Sequence, residues 1–359
     1  MAETPDFTPV NLLTGFLGSG KTTLLQRLLA DPALADTAVL INEFGEVGLD
    51  HHLLEQIDAH TVLLQSGCLC CTIRGELADA MRDLHSRRAR GLVPAFRRLA
   101  IETTGLADPF PVLTTIHAEP VLKHHFRLGN VITTVDAVNG RAQLDRHAES
   151  VKQLAVADRI VLTKTDIADP AEIAALGERI AALNPAAPVY RAADGVLDAD
   201  ALLARDSFDP AVESAALRRW FGVEMPAGAH DHEHEHTHAH AHHDRNRHGD
   251  DIRAFVLTFD RPLDWTMFGV WLSMLLNRHG ERILRVKGIV AVEGEAAPVA
   301  IHGVQHLVHP PIHMRAWPDS DHRSRIVFIV QGLDPVAIER SLLTFLDYSR
   351  SIISATTRI

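Results

Sequence analysis

The chain has 359 residues, 46% of them apolar and 23% charged, which suits two domains of ordinary size and excludes global disorder. With 35 Lys+Arg against 46 Asp+Glu, a net charge of -11 and only 5% aromatics, the chain lacks the basic face and stacking platforms expected of a nucleic-acid binder. No apolar run reaches the length of a membrane span, and the N-terminus MAETPDFTPV has neither a basic n-region nor an apolar h-region, so a cytoplasmic protein is expected. All three cysteines fall between positions 68 and 71, too close for a disulfide framework, and 23 histidines accompany them. Both anomalies point towards metal.

Along the first half, short apolar runs alternate with helical patterns. The runs VNLLT from Val10, AVLIN from Ala38, RLAIE from Arg98, NVITTV from Asn130 and RIVLT from Arg159 read as strands. Helices are expected to begin near Lys21, Arg74, Asp108, Ser150 and Asp169, the last with Asp169 as cap ahead of Pro170 at the first helical position. Near-continuous apolar strands separated by helices predict an α/β fold with a doubly wound, mostly parallel sheet. Nine histidines interleaved with acids in residues 230–248 cannot bury an apolar face and read as a disordered linker. Periodicity then returns with a strand IRAFVLTF from Ile252, a helix from Asp264 to about Asn277, strands ILRVKGIVAV, PVAIHGVQHLV and SRIVFIVQ, and a last helix from Asp334 to about Phe345. The expected organisation is a P-loop domain over 1–206, a His-rich linker over 207–250 and a smaller α+β domain over 251–359.

Residues 15–22 read GFLGSGKT, the P-loop pattern between a strand and a helix. Backbone N–H groups of Gly15, Gly18, Ser19 and Gly20 are expected to cradle phosphate at a helix N-terminus, with Lys21 supplying a full charge. The Thr22 hydroxyl is suited to Mg²⁺, with Thr23 as the next donor. Glu102 ends the third strand and opens ETTG, where a carboxylate can hold a Mg²⁺-bound water and Gly105 can offer its N–H to a γ-phosphate. The competing reading of Glu102 is a helix cap. Thr163-Lys164-Thr165-Asp166 ends the fifth strand on the rim where α/β ligands collect. Asp166 can accept from the N1–H and N2–H edge of guanine, a pairing adenine does not offer, with Lys164 over the base. Thr163 stands where Asn is usual and is expected to weaken the tie to the P-loop; the alternative is an ordinary surface loop. NEFGEVGLD, from Asn42 to Asp50, reads either as a nucleotide-sensing switch or as a Gly-rich turn. No residue stands out to orient a hydrolytic water, so slow turnover is expected.

Cys68, Cys70 and Cys71 in GCLCC place three soft thiolates in four residues, which selects Zn²⁺, Cu⁺ or iron–sulfur chemistry over Mg²⁺. A closed zinc site needs a fourth ligand, and water, Glu43 or a client protein can supply it. That suits a metal carried and released; buried structural thiols are the alternative. The His tract suits buffering of Zn²⁺, Ni²⁺ or Co²⁺, or else is a solvated spacer. His302, His306, His309 and His313 read as ordinary histidines.

The order GFLGSGKTT, NEFGEVGLD, GCLCC, ETTGLADP and TKTD resembles the CobW-like P-loop GTPases, which include zinc metallochaperones. The resemblance covers the chain to about residue 205 and continues into a small C-terminal domain after a His-rich connector. It implies phosphate binding by Gly15 to Thr23, Mg²⁺ linkage through Thr22 and Glu102, guanine reading by Lys164 and Asp166, and metal binding by Cys68, Cys70 and Cys71. The expected function is a GTP-hydrolysing metallochaperone that delivers a transition metal, zinc first among candidates, to a client metalloprotein. Lys21, Thr22 and Glu102 are its catalytic candidates, and GTP or GDP with Mg²⁺ its nucleotide ligands. Two alternatives stand beside it: a GTPase assisting cobalt or iron insertion into a cofactor or enzyme, and a passive His/Cys metal buffer. No nucleic acid or membrane partner is expected, and a homodimer is left open.

Overall fold

A computed structural model describes residues 7–41, 73–193, 197–204 and 251–356. The expected switch from Asn42 to Asp50, the three cysteines, Glu43 and the linker with its His tract all lie outside the described residues. Two units are distinguished: Met1–Ile180 with Ala187–Val212, and Ala181–Ala186 with Glu213–Ile359.

The first unit is built on a six-stranded sheet in the order β2-β3-β1-β4-β5-β6. Its strands are β1 (Thr8–Gly15), β2 (Thr37–Ile41), β3 (Arg98–Glu102), β4 (Phe126–Asp136), β5 (Arg159–Thr163) and β6 (Val189–Arg191). Every described pair is parallel, as strands buried on both faces by crossover helices must be. Five of the six match the apolar runs in the sequence. The exception, β6, is a three-residue edge strand too short to carry a period. The second strand is described to Ile41, and Asn42, expected to end it, lies outside the described residues.

Helices α1 (Lys21–Leu29), α2 (Ile73–Ala89), α3 (Phe110–Ala118), α6 (Ala148–Ala155) and α7 (Pro170–Leu183) stand within two residues of their expected starts. Two short ones were not legible: α4 (Leu122–His125) and α5 (Gly140–Arg146) are a turn or two long, below the length at which periodicity registers. Asp169 Oδ1 accepts from the Ala171 N–H at 2.8 Å, so the Asp-Pro start of α7 is a working cap. On one face, Leu24, Leu25 and Leu28 of α1 pack with Leu13, Val39, Ile132 and Val161 of the sheet. Leu202 and Leu203, from a π-helical turn at Asp200–Ala204, join the same cluster. That turn is held by two buried asparagines: Asn11 Nδ2 donates to Leu203 O at 3.1 Å and Asn130 Nδ2 to Leu202 O at 3.2 Å.

The second unit holds an antiparallel sheet in the order β10-β9-β8-β12-β7, with β11 (Ile312–His313) also on β9. Strands β7 (Ile252–Phe259), β8 (Ile283–Val290), β9 (Val299–Val304) and β12 (Ser324–Gln331) follow the sequence reading. The run PVAIHGVQHLV, expected as one strand, is a hairpin. It breaks at Gln305, whose φ of 51° turns the chain back into β10 (Leu307–Val308). Helices α8 (Trp265–His279) and α9 (Pro335–Thr356) share one apolar cluster with the sheet, where Phe268, Trp271, Leu272 and Leu342 meet Ile326, Phe328 and Val330. Asp264 caps α8 as expected, accepting from the Met267 N–H at 2.9 Å.

Candidate functional site: a phosphate cleft at the carboxyl rim

Strands β1, β3, β4 and β5 run parallel, so the residues after each strand gather at one rim. A cleft of about 700 Å³ opens there. Gly18, Gly20, Lys21, Thr22, Thr23, Glu102, Gly105 and Lys164 line it, together with Ile41 and residues 103, 104, 106 and 107. Four separate sequence segments thus converge. Gly15, Ser19 and Thr163 stand behind the loop as its supports, and Asp166 is exposed on the β5 loop, outside the cleft's lining.

The loop's shape is dictated by close contacts. Gly15 has φ +143°, and a Cβ there would lie 2.3 Å from Thr134 Oγ1 and 2.5 Å from Thr134 O. Only glycine fits between β1 and β4 at this point. Ser19 Oγ and Thr134 Oγ1 are hydrogen-bonded at 2.7 Å, fixing the middle of the loop to β4. Lys21 is buried, its Nζ donating to Gly15 O at 3.1 Å and Phe16 O at 3.3 Å. Its charge is therefore held inside the loop curve, where a phosphate oxygen can replace carbonyl partners.

Thr22 and Glu102 meet directly. The Thr22 hydroxyl donates to Glu102 Oε1 at 2.6 Å, and Glu102 is 4% exposed. A hydroxyl and a buried carboxylate side by side form an oxygen donor set of the kind Mg²⁺ takes through one or two groups and its own waters. The next segment is pinned to the P-loop: Thr103 N donates to Leu13 O at 2.9 Å, and a Cβ on Gly105 would fall 2.5 Å from Leu17 N. Residues 103–107 thus form the wall facing Lys21.

At the other end, Thr163 Oγ1 donates to Ser19 O at 2.8 Å. Thr163 in place of Asn was expected to weaken the tie between β5 and the P-loop; the shorter threonine makes a tie because Thr163 and Ser19 are both buried in direct apposition. Lys164 has φ +57°, the left-handed region that costs a side-chain-bearing residue energy. Two bonds from its Nζ hold it there, to Gly18 O at 2.8 Å and Asp136 Oδ2 at 2.7 Å. Burial would raise the Asp136 carboxyl, but hydrogen bonds from Lys164, Asn139 and the Val138 N–H outweigh it and leave it below the usual carboxylate range.

Sequence reading missed Asp136 and the elements that brace the ETTGLADP segment. The signal for Asp136 was present: like Glu102, it is an acid that ends an apolar strand on the ligand rim. Of the C-terminal histidines, His302 is buried, and burial with the charges of Lys287, His309 and Arg285 holds it well below its ordinary pKa. Among the described residues no three His, Cys, Asp or Glu side chains converge on a metal-sized space, and no helix is long and apolar enough to cross a membrane.

Comparison with known proteins agrees with this geometry. Residues 9–191 match the CobW/HypB/UreG nucleotide-binding domain, and residues 252–346 match the cobalamin synthesis protein cobW C-terminal domain. The zinc chaperone YjiA of Escherichia coli is 35% identical over 322 residues, spanning 89% of this chain and 93% of its own. The zinc chaperone CobW of Pseudomonas aeruginosa is 30% identical over 373 residues, spanning 94% and 91%. The crystal structure of Zn(II)-bound YjiA GTPase from E. coli superposes with a TM-score of 0.67 at 31% identity, covering 94% of this chain and 99% of that one. The parallel sheet with its phosphate loop and the antiparallel C-terminal sheet are thus those of one family, and the chain belongs to the CobW family of P-loop GTPases.

Proposed function

We propose that this GTPase carries Zn²⁺ on Cys68, Cys70 and Cys71 and releases it to a client metalloprotein in a nucleotide-dependent way. One observation carries the reading. Ile41, the last residue of β2, lines the cleft and pairs in register with Glu102, and the segment containing the thiols begins at the next residue. That segment rejoins the fold at Ile73, the start of α2. Near the far end of α2, Arg88 reaches Thr8 at the start of β1, so the helix begins on the carboxyl rim as a crossover helix does. One attachment of the thiol segment therefore adjoins the phosphate cleft, and the other lies on the same rim of the sheet. The two relatives named above as zinc chaperones support the choice of metal.

In this reading Gly15 to Thr23 bind the phosphates, Lys21 neutralises them, and Thr22 and Glu102 would hold Mg²⁺. Mg²⁺, when bound, supplies charge neutralisation across the β- and γ-phosphates. Gly105 donates to the γ-phosphate, while Lys164 and Asp166 take guanine; the exposure of Asp166 fits a carboxylate whose partner is the base itself. Linkage makes the coupling reciprocal, and about 1–3 kcal/mol between nucleotide and metal suffices to load and release. The His tract acts as a buffer for Zn²⁺, with Co²⁺ or Ni²⁺ as further ligands, and the C-terminal domain docks the client. Deleting residues 251–359 should abolish delivery, and undiminished delivery would overturn that last assignment.

The primary test is Zn²⁺ affinity by chelator competition on protein lacking residues 230–248, with GDP and then with a non-hydrolysable GTP analogue. A several-fold difference lost in Cys70→Ser is expected; equal affinities would leave a passive buffer. A second reading, assembly of a cobalt-containing product, rests on the description of the C-terminal family. It predicts that Co²⁺, not Zn²⁺, responds to nucleotide in the same assay.

A further inference from the structure

Behind the wall of the cleft, one short helix touches both phosphate-side loops. Gln153, on α6, is fully buried, and its Nε2 donates to Gly105 O at 3.1 Å and to Ala107 O at 3.0 Å. Its neighbour Lys152 pairs with Asp108 at 3.1 Å, so consecutive side chains grip the same segment. At the other end of α6, the N-cap residue His147 stacks on Phe16 of the P-loop with ring centroids 4.5 Å apart. The backbone of Gln153 is itself fixed, its carbonyl accepting from Thr133 Oγ1 of β4 at 2.8 Å.

We infer that Gln153 is a positioning residue for γ-phosphate recognition, acting through the Gly105–Ala107 turn. A trans peptide holds its C=O and N–H antiparallel, so a donor that fixes Gly105 O also aims the Leu106 N–H the opposite way, away from Gln153. Leu106 lines the cleft beside Gly105, so its N–H is the γ-phosphate donor this contact orients, a second one after the Gly105 N–H of the preceding peptide. Gln153 approaches two carbonyls of this turn from one side while Leu17 abuts Gly105 from the P-loop, so the turn has no room to rotate. Prepaid orientation of this kind matters most where charge is transferred: a displacement of about 1 Å at a reacting group can cost around 100-fold. The α- and β-phosphates rest on the P-loop, which Ser19, Thr134 and Thr163 brace independently. Loss of Gln153 therefore acts on the triphosphate and spares the diphosphate. This rests on the GTPase reading of the cleft.

The experiment measures phosphate release and the affinities of fluorescent GDP and a fluorescent non-hydrolysable GTP analogue on the full chain, for wild type, Gln153→Ala and Gln153→Glu. Gln153→Ala is expected to lower kcat and analogue affinity about tenfold or more while GDP affinity stays within about twofold. Gln153→Glu keeps the shape, and its protonated acid can still donate to one carbonyl, whereas its anion faces two carbonyl oxygens. Its activity relative to wild type should therefore rise as pH falls from 8 to 6. Parallel loss of GDP and analogue binding, or an unchanged kcat, would overturn the assignment. Should Gln153→Ala fail to fold, the pH profile of Gln153→Glu decides: a profile parallel to wild type overturns it. If wild type itself neither binds the analogue nor releases phosphate, the nucleotide reading is what has failed.

Discussion

Breaking the Lys164–Asp136 pair should loosen the first unit and weaken nucleotide binding together. The ions are 2.7 Å apart, the Asp136 side chain 2% exposed and that of Lys164 36%. Removing one member of a fully buried pair costs about 3–5 kcal/mol, but an exposed partner is screened and the cost falls towards the surface value. Asp136 also keeps the Val138 N–H, Asn139 N–H and Asn139 Nδ2 as donors. What Lys164→Met removes is then the charge-assisted hydrogen bond to Asp136, about 2 kcal/mol, together with the solvent-exposed one to Gly18 O, which adds little. Asp136→Asn should cost a similar amount, and the double variant less than the sum by about 1 kcal/mol, since both delete one contact. All four tryptophans lie at position 220 or beyond, so fluorescence does not follow this unit. Hydrogen exchange at the amides of β4 and β5 does, because opening there exposes the pair directly. Acid adds a second reading. Asp136 is held below the usual carboxylate range, so its contribution is complete above the unfolded-chain pKa and is lost as pH falls through the folded value. In Lys164→Met the folded value rises, so that loss should be smaller and complete at higher pH. Additive single effects, or an acid profile identical to wild type, would refute the pairing as a source of stability.

Three further outcomes follow from the geometry. Gly15→Ala would drive a Cβ to 2.5 Å from a backbone carbonyl that cannot move without displacing β4, at a φ of +143°. A loss of about 3 kcal/mol or more with abolished nucleotide binding is expected, read by the same exchange and by fluorescent GDP. Thr163→Val removes a buried 2.8 Å bond to Ser19 O and should cost about 1 kcal/mol, with GDP affinity reduced several-fold; unchanged affinity would mean the tie does not shape the loop. In the second unit, His302 is neutral when folded and titrates near its ordinary value when unfolded. The unfolded chain then binds the extra proton, and tryptophan-monitored stability should fall as pH drops below about 6.5, by at most about 1.4 kcal/mol per pH unit. His302→Leu should flatten that slope.

Much of the first unit is written locally. The P-loop spacing, the five long strands and the Asp169-Pro170 start depend on neighbours within a few residues, where period and capping chemistry are legible. So was the mutual relevance of Thr22 and Glu102, since both end up on the rim that parallel strands must share. The C-terminal hairpin at Gln305 was not, because an apolar run carries no mark of one residue crossing to positive φ.

The amino-acid sequence by itself determined the chemistry available to this protein: a phosphate cradle, a lysine, a hydroxyl with a carboxylate, and three clustered thiols. Tertiary structure alone decided which groups hold those in place. Asp136 finds Lys164 across 28 residues, Gln153 finds Gly105 across 48, and Thr163 finds Ser19 across 144. Such pairings have no period and no fixed spacing. They exist because the strand order β3-β1-β4-β5 brings four strand ends together, and that order is a property of how crossovers pack, which no short window of sequence contains.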